Sequence, residues 1–224
     1  MKFQRASLET CHNAVGLVIL IDVLRAFSTA AYAFSRGAKQ IILVSTVEEA
    51  LNLRAKIADS KVMGEIGGLP PVGFDFGNSP SQISSENLNG LILIQRTSAG
   101  TQGAVRCVKA EVLIAASFVV ASSTVHFVEN LNPAEVTFVI TGNENNDEDN
   151  ACADYLEALF RGEKPDSSPY IRRVFESRDA VQHLDPNQPL FPESDLHFCT
   201  DIDRFGFVMP IKRETGRLIM ACIQ

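Results

Sequence analysis

The sequence predicts a three-layer α/β/α domain with a largely parallel sheet. Short β-branched apolar runs alternate with longer helix-like segments, the pattern of parallel strands joined by crossover helices with both sheet faces covered. The 224 residues are 46% hydrophobic and 21% charged, an ordinary globular balance. A chain of this length buries roughly 70% of its unfolded surface, so it needs no disulfide or structural metal to hold a core.

Leu17–Ile21 reads as the first strand and Ala26–Arg36 as a helix stopped by Gly37. Ile41–Val44 is a second strand, followed by a helix from Val47 to about Ala58. Lys61–Met63 is a short third strand, and the Gly- and Pro-rich stretch from Gly64 to Pro80 is too punctuated for a regular element. Leu91–Ile94 is a strand with a helix near Thr101–Lys109, and Val112–Ala116 a strand with a helix over Ser122–Asn130 capped by Ser122. Val136–Ile140 closes the alternation, and the polar loop Thr141–Asp147 leads into a helix over Asp149–Phe160.

After Gly162 the pattern changes. A polar linker leads to a helix around Tyr170–His183, a loop from Leu184 to Pro192, and a terminal hairpin of Phe207–Ile211 and Leu218–Cys222. The expected organisation is a single domain over 1–224, with a main core over 1–162 and a C-terminal helix and hairpin extension over 163–224 that packs on the main sheet. There is no internal repeat.

Charge excludes some partners. The balance of 20 basic and 27 acidic residues gives −7, with no basic stripe, so no nucleic acid is expected as the main partner. The 5 cysteines are odd in number and form no C-x-x-C, which reads as reduced thiols, and the 4 histidines show no zinc spacing. Val15–Leu24 carries Asp22 and is about half the length needed to cross a bilayer. The start of the chain is polar rather than signal-like, so no membrane is expected and a cytoplasmic location is.

Ligands of open parallel sheets bind beyond the carboxyl ends of the strands. There the sequence places Asp22, then Gly64-Glu65, then Arg96-Thr97-Ser98, then Asn143 to Asp149. Asp22 either caps the following helix and pairs with Arg25, or serves metal binding or nucleophilic attack. Ser28 and Thr29 are either rim or helix-surface residues. The run Arg96-Thr97-Ser98-Ala99-Gly100-Thr101 opens a helix at a strand end, where N–H groups, hydroxyls and the helix dipole make an anion cradle, with Arg96 able to clamp a phosphate or sulfonate. Glu144, Asp147, Glu148 and Asp149 fit a helix start that favours acids, with Asp149 facing the rim. Cys152 reads as a packing residue.

Familiar machineries are absent: no P-loop, no dinucleotide fingerprint and no G-x-S-x-G elbow. Asp201-Ile202-Asp203 imitates a phosphatase D-x-D but follows no buried strand, and is read as incidental.

Taken in order, several segments resemble the family of 2-phosphosulfolactate phosphatases, the ComB-like proteins of coenzyme M biosynthesis. They are Asp22-Val23-Leu24-Arg25-Ala26-Phe27-Ser28-Thr29, Gly64-Glu65, Gly73-Phe74-Asp75-Phe76-Gly77-Asn78-Ser79-Pro80, and Thr97-Ser98-Ala99-Gly100-Thr101. Glu148-Asp149-Asn150-Ala151-Cys152-Ala153 and Phe198-Cys199-Thr200-Asp201-Ile202-Asp203-Arg204 complete the set. The resemblance covers nearly the whole chain, and the G-F-D-F-G-N-S-P run is its most specific part.

The resemblance implies a Mg²⁺-dependent hydrolysis of a small anionic phosphorylated substrate, 2-phosphosulfolactate, to sulfolactate and phosphate. On that expectation, Asp22, Glu65 and Asp149 supply the hard oxygen ligands for Mg²⁺ and, with Arg25, are the expected catalytic residues. Ser28, Asn78, Ser79, Arg96, Thr97, Ser98, Gly100, Thr101 and Asn143 are the expected substrate-binding set. The attacking group is either Asp22 or a metal-bound water. Two positions depart from the family pattern: Ile66 stands where an Arg is common and Ala99 where an Asn is, with Arg96 placed to replace the missing charge. An anion-binding protein without turnover, or a hydrolase of a different small phosphorylated acid, are the other readings. The hairpin is a candidate homo-oligomer contact.

Overall fold

The computed structural model describes residues 1–142 and 147–224, and the expected site residue Asn143 lies outside them, as does Glu144. Nine strands form one sheet: β1 (Lys2–Ser7), β2 (Gly16–Ile21), β3 (Gln40–Leu43), β4 (Ser60–Gly64), β5 (Ile92–Arg96), β6 (Ala110–Ala116), β7 (Glu135–Ile140), β8 (Met209–Glu214) and β9 (Arg217–Met220). Their order across the sheet is β1-β7-β2-β6-β8-β9-β3-β5-β4.

The sheet consists of two parallel sets joined by an antiparallel hairpin. β1, β7, β2 and β6 run parallel to one another, as do β3, β5 and β4. Between them β8 pairs antiparallel with β6 and β9, and β9 antiparallel with β3. The expected hairpin therefore does not pack on the sheet; it is inserted at the sheet's centre. Alternating apolar residues on both strands, with Met209, Ile211, Leu218 and Met220 buried, suit that position. The three antiparallel pairings reverse the nominal sense of the second set. The carboxyl ends of β2, β4 and β5 nevertheless meet, with Asp22, Glu65 and Ser98 lining one cleft.

Helices cover both faces: α1 (Ala26–Ser35), α2 (Val47–Arg54), α3 (Pro80–Ile83), α4 (Gly100–Arg106), α5 (Ala121–Leu131), α6 (Asp147–Phe160), α7 (Ser168–Glu176) and α8 (Ser194–Cys199). α1, α3 and α4 share one core with residues from both parallel sets, while α5, α6 and α7 cover the opposite face of the first set and α2 that of the second. Apart from its last residue α1 is buried.

Several local expectations change. β1 is an additional strand; its polar run K-F-Q-R-A-S pairs at the sheet edge, where half-exposed residues give no apolar signal. The helix expected over Tyr170–His183 is two pieces, because the backbone turns extended at Ser177 and resumes as a short 3₁₀ turn over Val181–His183. Ser122 does not cap α5 with its side chain; its N–H and hydroxyl both donate to Asp203, 2.6 Å each. That contact makes Asp203 a structural residue. Cys152 is fully buried, and burial followed by the Asp149 charge pushes its thiol pKa up, as expected for a packing residue.

Candidate active site

Asp22 immediately follows β2 and is buried at the meeting point of two helix starts. Its Oδ1 accepts the Ala26 N–H of α1 at 2.8 Å, and its Oδ2 accepts the Gly100 N–H of α4 at 2.8 Å. Helix N-termini favour such an anion. Burial works against it more strongly, and the charges of Glu65 and Asp179 add to burial, so the carboxyl is pushed up to about 6. Asp22 does cap the following helix, but it does not pair with Arg25.

Glu65 follows β4. Gly64 before it has φ +131°, and a side chain there would run into the Arg96 carbonyl, so glycine lets β4 and β5 end in contact. Glu65 Oε1 accepts the Ser98 N–H at 2.5 Å, and Oε2 accepts the Gly68 N–H at 2.7 Å and the Ser98 hydroxyl at 3.0 Å. Arg96 braces this loop from behind, donating to Glu65 O at 2.8 Å and Ser45 O at 3.2 Å. Thr97 and Thr101 hold the turn reciprocally: Thr101 Oγ1 accepts the Thr97 N–H at 2.8 Å, and Thr97 Oγ1 accepts the Thr101 N–H at 3.1 Å. Both are buried, and Gly100 between them lies against Asp22.

Asp149, near the start of α6, ties two strand ends together. It accepts the Val23 N–H at 2.7 Å and the Gly142 N–H at 3.2 Å. Burial, then the charges of Glu148 and Asp22, hold its carboxyl well above the usual range. Glu148 is pushed up to about 7, chiefly by burial with Asp179 and Asp22 adding charge. Its Oε2 is buried and has no partner among the described residues.

Arg25 is buried and held by a residue the motifs did not indicate. Its Nη1 donates to Asp195 Oδ2 at 2.7 Å and to Leu190 O at 3.3 Å, and its Nη2 to Gly68 O at 3.3 Å. Its guanidinium carbon lies 4.9 Å from the Phe191 ring centre. Ser79 is also committed to Asp195, donating to Oδ1 at 2.8 Å while capping α3. Ser28 donates to Val23 O at 2.8 Å inside the core. Within the G-F-D-F-G-N-S-P run, Asp75 anchors the loop to Val62, Lys61 and Arg54, whereas Asn78 faces the site with a buried Oδ1 that has no partner among the described residues.

A cleft of about 340 Å³ opens here. Among the expected residues it is lined by Asp22, Arg25, Glu65, Asn78 and Ser98. Asp149, Ser28, Ser79, Arg96, Thr97, Gly100 and Thr101 are not lining residues; they support the wall from behind. Ala99 lines the cleft, Ile66 is exposed at 51%, and Arg96 does not reach the lining. Arg25 is the cation among the described lining residues. Sequence reading missed Asp179, Phe191 and Asp195. For Asp195 a signal existed: with Leu196 and Cys199 it lies on the apolar side of a short helix, where a charge needs a partner.

These observations describe an α/β domain whose cleft gathers carboxylates and one guanidinium, and comparison with known proteins gives its class. A family model described as 2-phosphosulpholactate phosphatase matches residues 4–214. A protein of Bacillus subtilis (strain 168) named "Probable 2-phosphosulfolactate phosphatase" is 35% identical over 198 residues, covering 88% of this chain and 87% of its own. Relatives with the same name from Thermotoga maritima and Clostridium perfringens (strain 13 / Type A) are 32% and 31% identical, each covering 88% of this chain, and 88% and 86% of their own length respectively. The protein is thus of the phosphoric monoester hydrolase class. It belongs to the 2-phosphosulfolactate phosphatase family. Among the described residues, no helix is long and apolar enough to cross a membrane.

Proposed function

We propose that this protein hydrolyses 2-phosphosulfolactate to sulfolactate and phosphate with the help of Mg²⁺. The observation that carries the reading is Asp22 on the cleft wall, fixed by the N–H groups of two helix starts, in a cleft that Arg25 also lines. A phosphate monoester placed there meets Arg25, whose guanidinium suits anionic oxygens.

The donor set fits a hard divalent cation. Asp22, Glu65, Glu148, Asp149 and Asp179 concentrate negative charge, and Glu148 Oε2 and Asn78 Oδ1 are buried without partners among the described residues. No three acidic, His or Cys side chains among those described converge on one point. This agrees with the habit of Mg²⁺, which takes one or two carboxylates and fills its sphere with water and phosphate oxygens. Of the expected set Asp22, Glu65 and Asp149, the two that line the cleft, Asp22 and Glu65, are the residues proposed to hold it, with Asp149 behind the wall, and bound there it would neutralise phosphate charge. Asp22 either attacks phosphorus or orients the attacking water, and trapping of a phospho-enzyme after rapid acid quench separates the two.

The test is phosphate release from 2-phosphosulfolactate and phospholactate, with Mg²⁺ and with EDTA, for the wild type and Asp22→Asn. Release that requires Mg²⁺ and is lost in Asp22→Asn supports the reading. Absence of release from both substrates sinks it. One observation favours a second reading: the described lining offers a single cation for a substrate with phosphate, carboxylate and sulfonate groups. A smaller phosphorylated acid such as phospholactate fits that charge balance, and a faster rate on it would select that reading.

A further inference from the structure

We propose that Asp195 is the positioning residue of the cleft: one buried carboxylate fixes Arg25 and the Asn78 loop together, so that Arg25 presents a single edge to the substrate. The inference rests on the hydrolase reading above, in which Arg25 receives an anionic group.

Asp195 sits at the start of α8 and is 0% exposed. Its Oδ2 takes Arg25 Nη1 at 2.7 Å; its Oδ1 takes the Ser79 hydroxyl at 2.8 Å, the Ser81 hydroxyl at 2.5 Å and the Ser81 N–H at 3.0 Å. A buried carboxylate is tolerated only when its lone pairs are met in this way. The donors come from two distant stretches, one leading into α1 and one opening α3. Both carry cleft-lining residues, Arg25 itself and Asn78 next to Ser79. Movement of the carboxylate would shift both.

The guanidinium has little freedom left. Of the roughly five N–H groups an arginine carries, the bonds to Asp195, Leu190 O and Gly68 O occupy three. The Phe191 ring covers one of its faces. The Nε–H and one Nη2–H have no partner among the described residues. Two such donors suit the paired oxygens of a phosphate, sulfonate or carboxylate. A pre-set donor pair binds such a group without the entropy loss of ordering a free side chain.

Calorimetric titration of inorganic phosphate into the wild type, Asp195→Asn, Arg25→Met and the double variant tests this. Asp195→Asn should weaken phosphate binding roughly tenfold or more, the range seen when a partner that orients a ligand-holding side chain is lost. In the Arg25→Met background the same substitution should add less than about twofold. Effects that multiply independently, binding unchanged in Asp195→Asn, or no phosphate binding by the wild type would each overturn the proposal. If Asp195→Asn does not fold, Ser81→Ala keeps the ion pair and removes one donor that aims the carboxylate. It should weaken binding about threefold, and only when Arg25 is present; unchanged binding overturns the proposal. Turnover is a separate readout. A protein that binds phosphate through Arg25 and Asp195 yet releases none from any ester keeps this proposal and loses the hydrolase reading.

Discussion

Gly100 and Asp22 are in direct contact: the Gly100 N–H donates to Asp22 Oδ2 at 2.8 Å, and a Cβ on Gly100 would stand 2.8 Å from that same oxygen. The glycine is therefore required for space. It lets the start of α4 approach the carboxylate closely enough for its N–H to reach, and so fixes Asp22 from the side opposite α1.

Gly100→Ala should displace Asp22, because the added methyl also meets Ala26 Cβ at 3.0 Å and Phe27 Cζ at 3.2 Å. Overpacking of this kind costs about 1–3 kcal/mol. Phosphate release should fall more than the melting temperature would suggest. Denaturant midpoints measured beside kcat/KM check this; a variant with wild-type activity would show that Asp22 need not be held from α4.

The carboxyl of Asp22 is pushed up to about 6 by burial and by the Glu65 and Asp179 charges. Its protonated form is therefore favoured as pH falls through about 6, and a cation bound there must displace that proton. Mg²⁺ affinity should drop steadily below about pH 6, and binding near that pH should release protons. Calorimetry in buffers of different ionisation enthalpy reads the proton count. Affinity that stays flat between pH 5 and 8 would remove Asp22 from the metal site.

Most of this arrangement was legible in the sequence where local chemistry and position coincide. Asp22 closes the most apolar strand, and Glu65 and Thr97 follow strands, so each stands at a carboxyl end, where ligands of parallel sheets bind; that the two oppositely running sets bring those ends to one cleft is not in the local pattern. What was not legible depends on distant partners. The hairpin of β8 and β9 has a local signature, but its place between β6 and β3 is set by which strands lack neighbours. β1 has no apolar pattern because it is an edge. Asp195 and Phe191 come from a Pro-containing segment whose contacts with Arg25 span 170 residues in the case of Asp195. Residues of the shared motif also divide in a way spacing cannot show: Asn78 faces the cleft, while Ser79, Thr97 and Thr101 hold the backbone behind it.

Glu65→Gln tests whether Glu65 builds the cleft wall. Its two oxygens accept three donors from Gly68 and Ser98. An amide can offer only one oxygen, so its NH₂ group must face an N–H. Leaving buried donors unmet costs about 1–3 kcal/mol. The variant should be less stable by that order and slower in phosphate release. Unchanged thermal unfolding would mean that the loop after β4 is held by Arg96 alone.

Asp75 is the acid-sensitive anchor of the G-F-D-F-G-N-S-P loop. Burial opposes its ionisation, but the Val62 N–H and the Lys61 and Arg54 cations outweigh it and leave the carboxyl below its usual range. A depressed folded-state pKa contributes stability that is fully present above the unfolded value, about 3.9, and is lost as pH falls through the folded value. Asp75→Asn should therefore lower stability at neutral pH by about 1–2 kcal/mol, and the gap to wild type should close on acidification below about pH 4. Urea unfolding from pH 7 to pH 3 measures the gap. A gap that persists at the acid end would show that Asp75 acts through packing instead of charge.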